Sequence, residues 1–203
     1  MTLGVSGLLW NRSLVMYDRE TESLWSHILG EAMAGPLKGT RLRQIPSAIT
    51  TWERWRMGHP ETTVAILTRT ANRYSSGFYK DGRFFLFGIA DGEAAKSWRF
   101  TTLMEQPVIH DTWRDQAIVI LFDRASATPR MFRRRLDDRL LSFRADRQDE
   151  RDVFVDQQTG SAWNPVTGIA GAGPLQGRHL EPLPAIVSFV QAWERFHPTS
   201  GDP

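Results

Sequence analysis

The stretch Asp18–Trp25, DRETESLW, decides the fold because it returns as Asp156–Trp163, DQQTGSAW, at an offset of 138 residues. Both stretches place Asp, Thr, Ser and Trp at the same spacing. The same offset, without a gap, carries Gly35–Gly39 (GPLKG) onto Gly173–Gly177 (GPLQG). Chance does not align this many Trp, Gly and Pro residues in one register, and a repeat has to be recognised before a fold is assigned. The sequence therefore predicts two diverged copies of one unit, at about residues 13–62 and 151–200, in a single domain spanning 1–203.

Each copy predicts a short antiparallel meander. It begins with a run of strand-forming residues, Leu14–Tyr17 or Val153–Val155, which ends in a polar turn at the shared Asp. A second predicted strand carries the shared Trp, which is Trp25 in the first copy and Trp163 in the second. Trp buries a large area, so we expect both indoles to anchor the core rather than to line a binding pocket.

A tight turn and a helix complete each predicted copy. The Gly-Pro-Leu-x-Gly segment that starts at Gly35 or Gly173 predicts the turn, because Pro fixes φ and Gly permits a positive φ. Ser47 is the expected N-cap of the first helix. Trp55 and Trp193 follow other apolar residues at helical spacing, and we interpret both as structural.

The middle segment, residues 63–150, predicts mostly strand. Gln116–Phe122 is the strongest candidate for a core strand, and Arg83–Ile89 and Ala94–Phe100 flank an Asp-Gly turn. Arg130–Phe132 and Leu140–Phe143 are expected to complete a meander with the core strand. The predicted class is α+β, with a mainly antiparallel, partly barrel-like sheet and two pseudo-symmetric helices from an internal duplication.

Composition limits the partners and the chemistry. The chain has 203 residues, a net charge of +2 and 41% apolar residues, which predicts a soluble globular protein. It has no cysteine, so it forms no disulfide, thiolate metal site or cysteine nucleophile of its own. No apolar run reaches the roughly 20 residues of a membrane span, and the first residues do not predict a signal peptide.

The densest basic run, Arg130–Arg135, is followed at once by Asp137 and Asp138. Such a run is typical of a solvated hairpin, with an anion-binding patch as the alternative. A nucleic-acid binder would show a more concentrated basic face, so we expect no nucleic-acid partner. A small ligand or a protein partner is left open.

Two histidines occupy the same position in the repeat, immediately before a proline that ends each predicted helix: His59 with Pro60 and His197 with Pro198. Histidine is a common metal ligand and proton carrier, so a metal or small-ligand site between the copies is one interpretation. The other interpretation is that each histidine closes its helix by bonding a last carbonyl group. A metal ion is thus the one cofactor that the sequence leaves open.

Asp18 and Asp156 have two interpretations as well. They could form a paired carboxylate site, but an Asp that begins a turn is the better account of their position. Ser6 and Asn11 lie on or beside the first predicted strand, and we expect them to be adjacent to any site there. The chain has no nucleophile elbow, phosphate-binding loop, dinucleotide fingerprint or zinc-protease motif, and no catalytic residue is predicted.

Several segments resemble one bacterial and archaeal family, catalogued as domain of unknown function 3179. The segments that carry this resemblance are Gly4–Trp25, Gly30–Leu42, Gly88–Gly92, Ala95–Lys96, Leu183–Ala185, Trp193 and Phe196–Thr199. The resemblance covers essentially the whole chain and implies an uncharacterised domain. It also implies that some relatives are selenoproteins and that some are exported, which leaves the compartment of this chain open.

The chain departs from that family in two places. Family members carry a Cys-Pro-Leu-Cys-like segment, in some cases with selenocysteine, just upstream of the motif that is Gly4–Gly7 here. The family's central loop is shortened here around Tyr74–Asp81. The resemblance thus implies two alternatives: a non-catalytic scaffold or binding module, or a truncated member of a thiol or selenol redox family whose reactive pair lay upstream of Met1.

Overall fold

The computed structural model describes residues 1–64, 81–92, 94–148 and 151–198. Within these ranges the chain forms short antiparallel strands, three short helices and a 3₁₀ turn at Gly82–Phe84. In chain order the elements are β1 (Leu3–Trp10), β2 (Ser13–Asp18), β3 (Leu24–Ser26), β4 (Glu31–Ala34), α1 (Trp52–Gly58), β5 (Phe85–Asp91), β6 (Ala94–Arg99), α2 (Phe100–Glu105), β7 (Val108–Trp113), β8 (Gln116–Asp123), β9 (Thr128–Arg133), β10 (Arg135–Leu136), β11 (Arg139–Leu140), β12 (Phe143–Gln148), β13 (Arg151–Asp156), β14 (Ala162–Trp163), β15 (Ala170–Ala172), β16 (Ile186–Phe189) and α3 (Val190–Phe196).

The strands form separate antiparallel sheets. Their orders are β1-β2-β3-β4, β12-β13-β14-β15, β16-β5-β6 and β7-β8-β9, with β10-β11 as a small ribbon. The predicted α+β class is confirmed in its coarse form, as a sheet-rich fold with few helices. The partly barrel-like sheet is a wrong expectation. Closure needs pairing between the first and last strands of one sheet, and within the described ranges no sheet has it.

The two four-stranded sheets are built in the same way. In each, four consecutive strands pair with their neighbours in chain order, and the pairing shifts register where the third strand meets the fourth. Asn11 and Arg12 make the β1–β2 turn with φ angles of 49° and 62°. Two residues with positive φ match the type I′ turn that suits the twist of a β-hairpin.

The core lies on both sides of β8. Its five residues Ile118–Phe122 are completely buried. Ile118, Ile120 and Phe122 face one apolar cluster, whereas Val119 and Leu121 face another. Successive side chains of a strand point to opposite faces, so an unbroken apolar run serves a strand that is covered on both. The prediction that this segment is the strongest core strand is therefore confirmed.

The first helix begins later than predicted. Thr51, not Ser47, is its N-cap, and the Thr51 side chain accepts a hydrogen bond from the backbone N–H of Arg54 at 3.3 Å. Ser47 lies in a segment without regular secondary structure, where its carbonyl accepts a bond from Arg130. In the second copy, the residues Ile186–Phe189 form β16 against β5 before the helix starts. Pairing with a neighbouring strand thus overrides helical spacing there.

The predicted meander also ends early. β9 pairs with β8 as expected, but Leu140 pairs with Arg135 in the small ribbon, and Phe143 begins β12 in another sheet. Asp137 has a φ of 52° and lies in the turn between β10 and β11, where the chain reverses direction. The shortened loop predicted at Tyr74–Asp81 lies outside the described residues, apart from Asp81 itself. None of the described helices has the length and apolar character to span a bilayer.

Candidate functional site

The shared Asp of the first copy is a buried carboxylate surrounded by donors. Asp18 accepts hydrogen bonds from the Trp25 indole Nε1 at 2.9 Å, from the Thr21 backbone N–H at 2.6 Å and from the Thr21 hydroxyl at 2.8 Å. Ser23 accepts a bond from the backbone N–H of Leu37 at 3.0 Å. This network ties the β2–β3 turn to the Gly-Pro-Leu-x-Gly turn.

The second copy repeats the network bond for bond. Asp156 accepts from Trp163 Nε1 at 2.9 Å and from the Thr159 backbone N–H at 2.6 Å. Ser161 accepts from the backbone N–H of Leu175 at 2.9 Å. Because the same donors saturate both carboxylates, the geometry favours the turn-forming interpretation of these aspartates.

The glycine that opens each Gly-Pro-Leu-x-Gly turn is required by close packing. Gly35 and Gly173 have φ angles of 90° and 91°, in the left-handed region. A Cβ atom on Gly35 would lie 2.7 Å from Cα of Ser23, and one on Gly173 would lie 2.7 Å from Cα of Ser161. A side chain fits neither position, so the predicted structural role of both glycines has a physical cause.

Hydrogen bonds control the charge of Asp18. Burial is the largest single influence and by itself would raise the pKa, but the bonds from Trp25, Thr21 and Ser23 together outweigh it and lower the pKa below its usual 3.8. The carboxylate is therefore ionised at neutral pH with its acceptor positions filled. It is a poor candidate for a general acid or a metal ligand.

A third aspartate has a similar setting that the sequence analysis missed. Asp123 ends β8 and accepts a bond from the Ser126 hydroxyl at 2.6 Å, and Ser126 bonds Thr128 at 2.7 Å. Arg54 of α1 takes the position of the indole donor with two bonds, at 2.8 and 2.9 Å. The spacing Asp-x-x-Ser-x-Thr, which matches Asp-x-x-Thr-x-Ser in the copies, was the available signal.

The two repeated histidines end their helices in the same way. The backbone N–H of His59 donates to Trp55 O at 2.9 Å, and that of His197 donates to Trp193 O at 2.8 Å. Each imidazole packs on the same tryptophan, with ring centroids 4.0 and 4.4 Å apart. His59 is exposed, whereas His197 is buried. Pro60 and Pro198 directly follow the helix ends, as predicted.

The metal interpretation of these histidines stays a prediction. Among the residues that the structure describes, no group of three His, Asp or Glu side chains could hold a metal ion. Burial lowers the pKa of His197, which keeps its imidazole neutral at pH 7.

Ser6 and Asn11 have local roles: the Ser6 hydroxyl donates to Val15 O and accepts from Leu8 N, while Asn11 lies in the β1–β2 turn.

A cavity of about 620 Å³ lies between the first copy and the middle segment. Its walls include residues 28–29 and 41–44 of the first copy, the end of β5, the β7–β8 turn and His197. The charged side chains that line it are Arg41, Arg43, Arg114, Arg133, Glu31 and Asp91. His59, Ser6, Asn11 and Asp18 do not line it.

Positive charge is in excess in this cavity, with four guanidinium groups against two carboxylates. Arg41 pairs with Glu31 at 2.9 Å, and Arg114 lies 3.6 Å from the carboxylate of Asp91. Arg43 forms no ion pair with another described residue. We therefore expect the cavity to attract anions.

Arg133 has a donor to spare. Its Nη1 pairs with Glu181 at 3.1 Å, but its Nε is buried without a hydrogen-bond partner among the described residues. It belongs to the basic run Arg130–Arg135, whereas Arg41 and Arg43 lie together after β4 and Arg114 lies in the β7–β8 turn. No spacing in the sequence connects these three segments, which is why the cavity was not predicted.

Comparison with known proteins identifies the family. No curated protein and no solved structure matches the chain. The family model described as "Protein of unknown function (DUF3179)" matches residues 1–83 and 83–200, which together take in nearly the whole sequence. The chain therefore belongs to the DUF3179 family, as the segments around Gly4–Trp25 and Gly30–Leu42 predicted.

Proposed function

We propose that this chain is a binding module that holds a small organic anion in the cavity lined by Arg41, Arg43, Arg114 and Arg133. The convergence of these four guanidinium groups on one cavity carries the proposal. Its volume of about 620 Å³ lies within the range of small-molecule sites, which is about 300–1,000 Å³. The proposal assigns anion binding to this cavity and includes Arg133 of the basic run Arg130–Arg135.

The four arginines differ in whether a carboxylate of the cavity wall already pairs with them. Arg41 and Arg114 are each oriented by a carboxylate of the cavity wall, at Glu31 and Asp91. Arg43 and the guanidinium group of Arg133 line the cavity and offer N–H donors to a ligand. A guanidinium group matches a carboxylate or phosphate with two parallel bonds, so these two side chains favour a planar or tetrahedral oxyanion.

The proposed module has no catalytic role. Asp18 and Asp156, the buried carboxylates of the repeat, lie outside the cavity lining and have donors on both oxygens. They supply no free acid or base to a bound ligand. His197 lines the cavity as a neutral imidazole and adds no charge to it.

We also propose that residues 1–203 form one domain that arose by internal duplication, with α1 and α3 as matching helices. The two Asp-centred networks support this, as do two isolated bridges at the repeat offset, Glu31–Arg41 and Ile169–His179. The copies differ where the cavity lies. In the second copy the corresponding segment packs onto β9: Leu183 donates to Met131 O and Glu181 accepts from Arg133 N, both at 2.9 Å.

Calorimetric titration tests the binding proposal. The probes are inorganic phosphate, succinate and citrate, with uncharged succinamide as the matched neutral compound. We expect at least one anion to bind, more weakly at high salt, and succinamide not to bind. Arg43→Gln and Arg133→Gln should each weaken binding by about tenfold or more, because a charged hydrogen bond contributes about 1.5–3 kcal/mol.

The control variant is Arg139→Gln, an exposed arginine outside the cavity lining. It should bind the anion as the original chain does. Failure of all three anions to bind, or equal losses in the Arg43, Arg133 and Arg139 variants, would contradict the proposal. Metal binding by His59 and His197 and thiol or selenol exchange through residues outside this sequence stay predictions, and no contact among the described residues favours either.

A further inference from the structure

β1 is the outer strand of the first sheet, and among the described residues it has none of the usual protection of a sheet edge. Within the described ranges it pairs only with β2. Its sequence, LGVSGLLW, contains no charged residue and no proline. Val5, Leu8, Leu9 and Trp10 are 67%, 52%, 72% and 41% exposed. Soluble proteins normally place charges, proline or a covering element on such an edge, because its free N–H and C=O groups pair readily with another strand.

β12 shows how the molecule treats the equivalent strand. It opens the second four-stranded sheet as β1 opens the first, and Phe143 pairs with Asp156 where Leu3 pairs with Asp18. Phe143 is only 3% exposed, and its backbone N–H donates to His110 Nε2 at 2.8 Å. β12 also carries charged residues at three of its six positions, Arg144, Asp146 and Arg147. β12 is thus charged and covered at its start, whereas β1 has no charged residue and is exposed at five of its eight positions.

We infer that β1 is an interface through which two copies of this chain associate, with the two β1 strands side by side and antiparallel across a twofold axis. The absence of charge supports a second copy as the occupant. In a twofold interface the same patch meets itself, so any charged residue near the axis would face its own like charge. β1 brings only apolar and small side chains to that position.

A β-bulge in β1 limits how much main-chain pairing two copies can make. The β1–β2 register shifts between Val5 and Leu9, where Gly7 has a φ of 77°. The Ser6 hydroxyl bonds Val15 O and Leu8 N and holds this shape. A bulge interrupts a regular ladder, so main-chain pairing between copies is short and packing of the Val5, Leu8 and Leu9 side chains carries the contact.

The size of the contact sets its strength. An eight-residue strand is about 26 Å long, and a stable interface buries about 800 Å² on each partner. One short edge strand offers a small contact by that standard, so the dimer should be weak and dissociate on dilution. No β1 residue lines the arginine cavity, and the inference is therefore independent of the proposed ligand.

Sedimentation velocity and light scattering on the full chain test this. The mass should rise from 23.2 kDa toward twice that value as the concentration increases. Leu9→Arg should abolish the dimer, because two like charges would meet near the axis. Leu140→Arg is the matched control, since Leu140 is also an exposed leucine on a strand but lies in the β10–β11 ribbon, and it should leave the dimer intact. Circular dichroism confirms that both variants are folded.

Cysteine cross-linking gives a second measurement. The chain has no cysteine, so a Leu9→Cys variant carries one thiol per molecule. Mild oxidation should convert it to a covalent dimer much faster than a Leu140→Cys variant. A chain that stays monomeric at every concentration, or a dimer that persists in Leu9→Arg, would overturn the inference. A monomer that gains mass only with a different polypeptide would also overturn it, by assigning β1 to another partner.

Discussion

The indole nitrogen of Trp25 donates to the carboxylate of Asp18 at 2.9 Å across the β2–β3 turn, seven residues apart in sequence. Trp163 and Asp156 repeat this bond at the same distance. Each bond joins a core tryptophan to a buried charge. The motif therefore stabilises the turn and fixes the indole orientation together, which explains why all its polar residues recur in the two copies.

Replacing the indole tests the strength of this bond. Trp163→Phe removes a donor from the buried carboxylate of Asp156, and we expect the free energy of unfolding to fall by about 1–3 kcal/mol beyond the loss of apolar area. Urea denaturation followed by circular dichroism measures it. Trp52→Phe is the control, because Trp52 is exposed and makes no hydrogen bond in the network. Equal, small changes in both variants would show that the bond contributes nothing.

The loss of stability at low pH should reveal how much Asp18 contributes to the folded state. Its pKa is lower in the folded protein than its usual 3.8, so it adds stability above that value and loses it as the pH falls through the folded-state pKa. Stability should therefore decline below about pH 4, more steeply for the original chain than for Asp18→Asn. Urea midpoints at stepped pH values measure this, and parallel curves for the two proteins would refute it.

The ion pair between Arg54 and Asp123 should hold α1 in place. The Asp123 side chain is almost completely buried, whereas α1 itself has no buried residue. Arg54→Gln leaves the carboxylate without its cation, which costs about 3–5 kcal/mol for a buried pair and less here because Arg54 is partly exposed. Hydrogen exchange should increase across α1. Arg56→Gln, on the same helix and exposed, should change neither quantity.

Local patterns in the sequence predicted the parts of the fold that neighbouring residues determine. The apolar run of β8 predicted the strongest core strand, and Gly35 in Gly-Pro-Leu-x-Gly predicted a tight turn. Helix starts were less predictable. Ser47 and Thr51 are both good caps, and the bond from Arg54 N–H to the Thr51 side chain shows that Thr51 begins the helix.

The candidate site depended on contacts between distant segments. Arg41, Arg114 and Arg133 share no spacing, and nothing in the sequence indicates that they converge. The Arg54–Asp123 pair spans 69 residues. The repeated histidines, by contrast, were easy to find, yet only His197 lines the cavity. Repetition in the sequence thus predicted the matching contacts around Asp18 and Asp156, whereas it gave no indication of the cavity.

Substitution of two glycines in the second copy can distinguish the stability cost of a steric clash from that of a strained backbone. Gly173 and Gly177 have φ angles of 91° and 81°, but an added Cβ meets Ser161 at 2.7 Å in the first case and no atom within 4 Å in the second. Gly177→Ala should cost about 1 kcal/mol for the left-handed conformation alone. Gly173→Ala should cost clearly more, because backbone has to move. Thermal unfolding of both variants measures the difference, and equal costs would contradict the packing argument.

His110 should make the contact between β7 and β12, here called the joint, sensitive to mild acid. Its Nε2 accepts the backbone N–H of Phe143 at 2.8 Å, which requires an unprotonated nitrogen. Burial, and then the charge of Arg134, lower its pKa below 6.5. Because the unfolded chain takes up a proton first, stability falls as the pH drops below about 6.5 and stops falling beneath the folded-state pKa.

Burial lowers the pKa of His197 in the same direction, so the two contributions have to be separated. The His110→Gln and His197→Gln variants should each flatten part of the stability curve between pH 6.5 and the lower folded-state values. NMR titration of the ring protons should give a pKa below 6.5 for both histidines. If His110 titrates at or above 6.5 while the Phe143 amide stays protected from exchange, the bond does not control the joint.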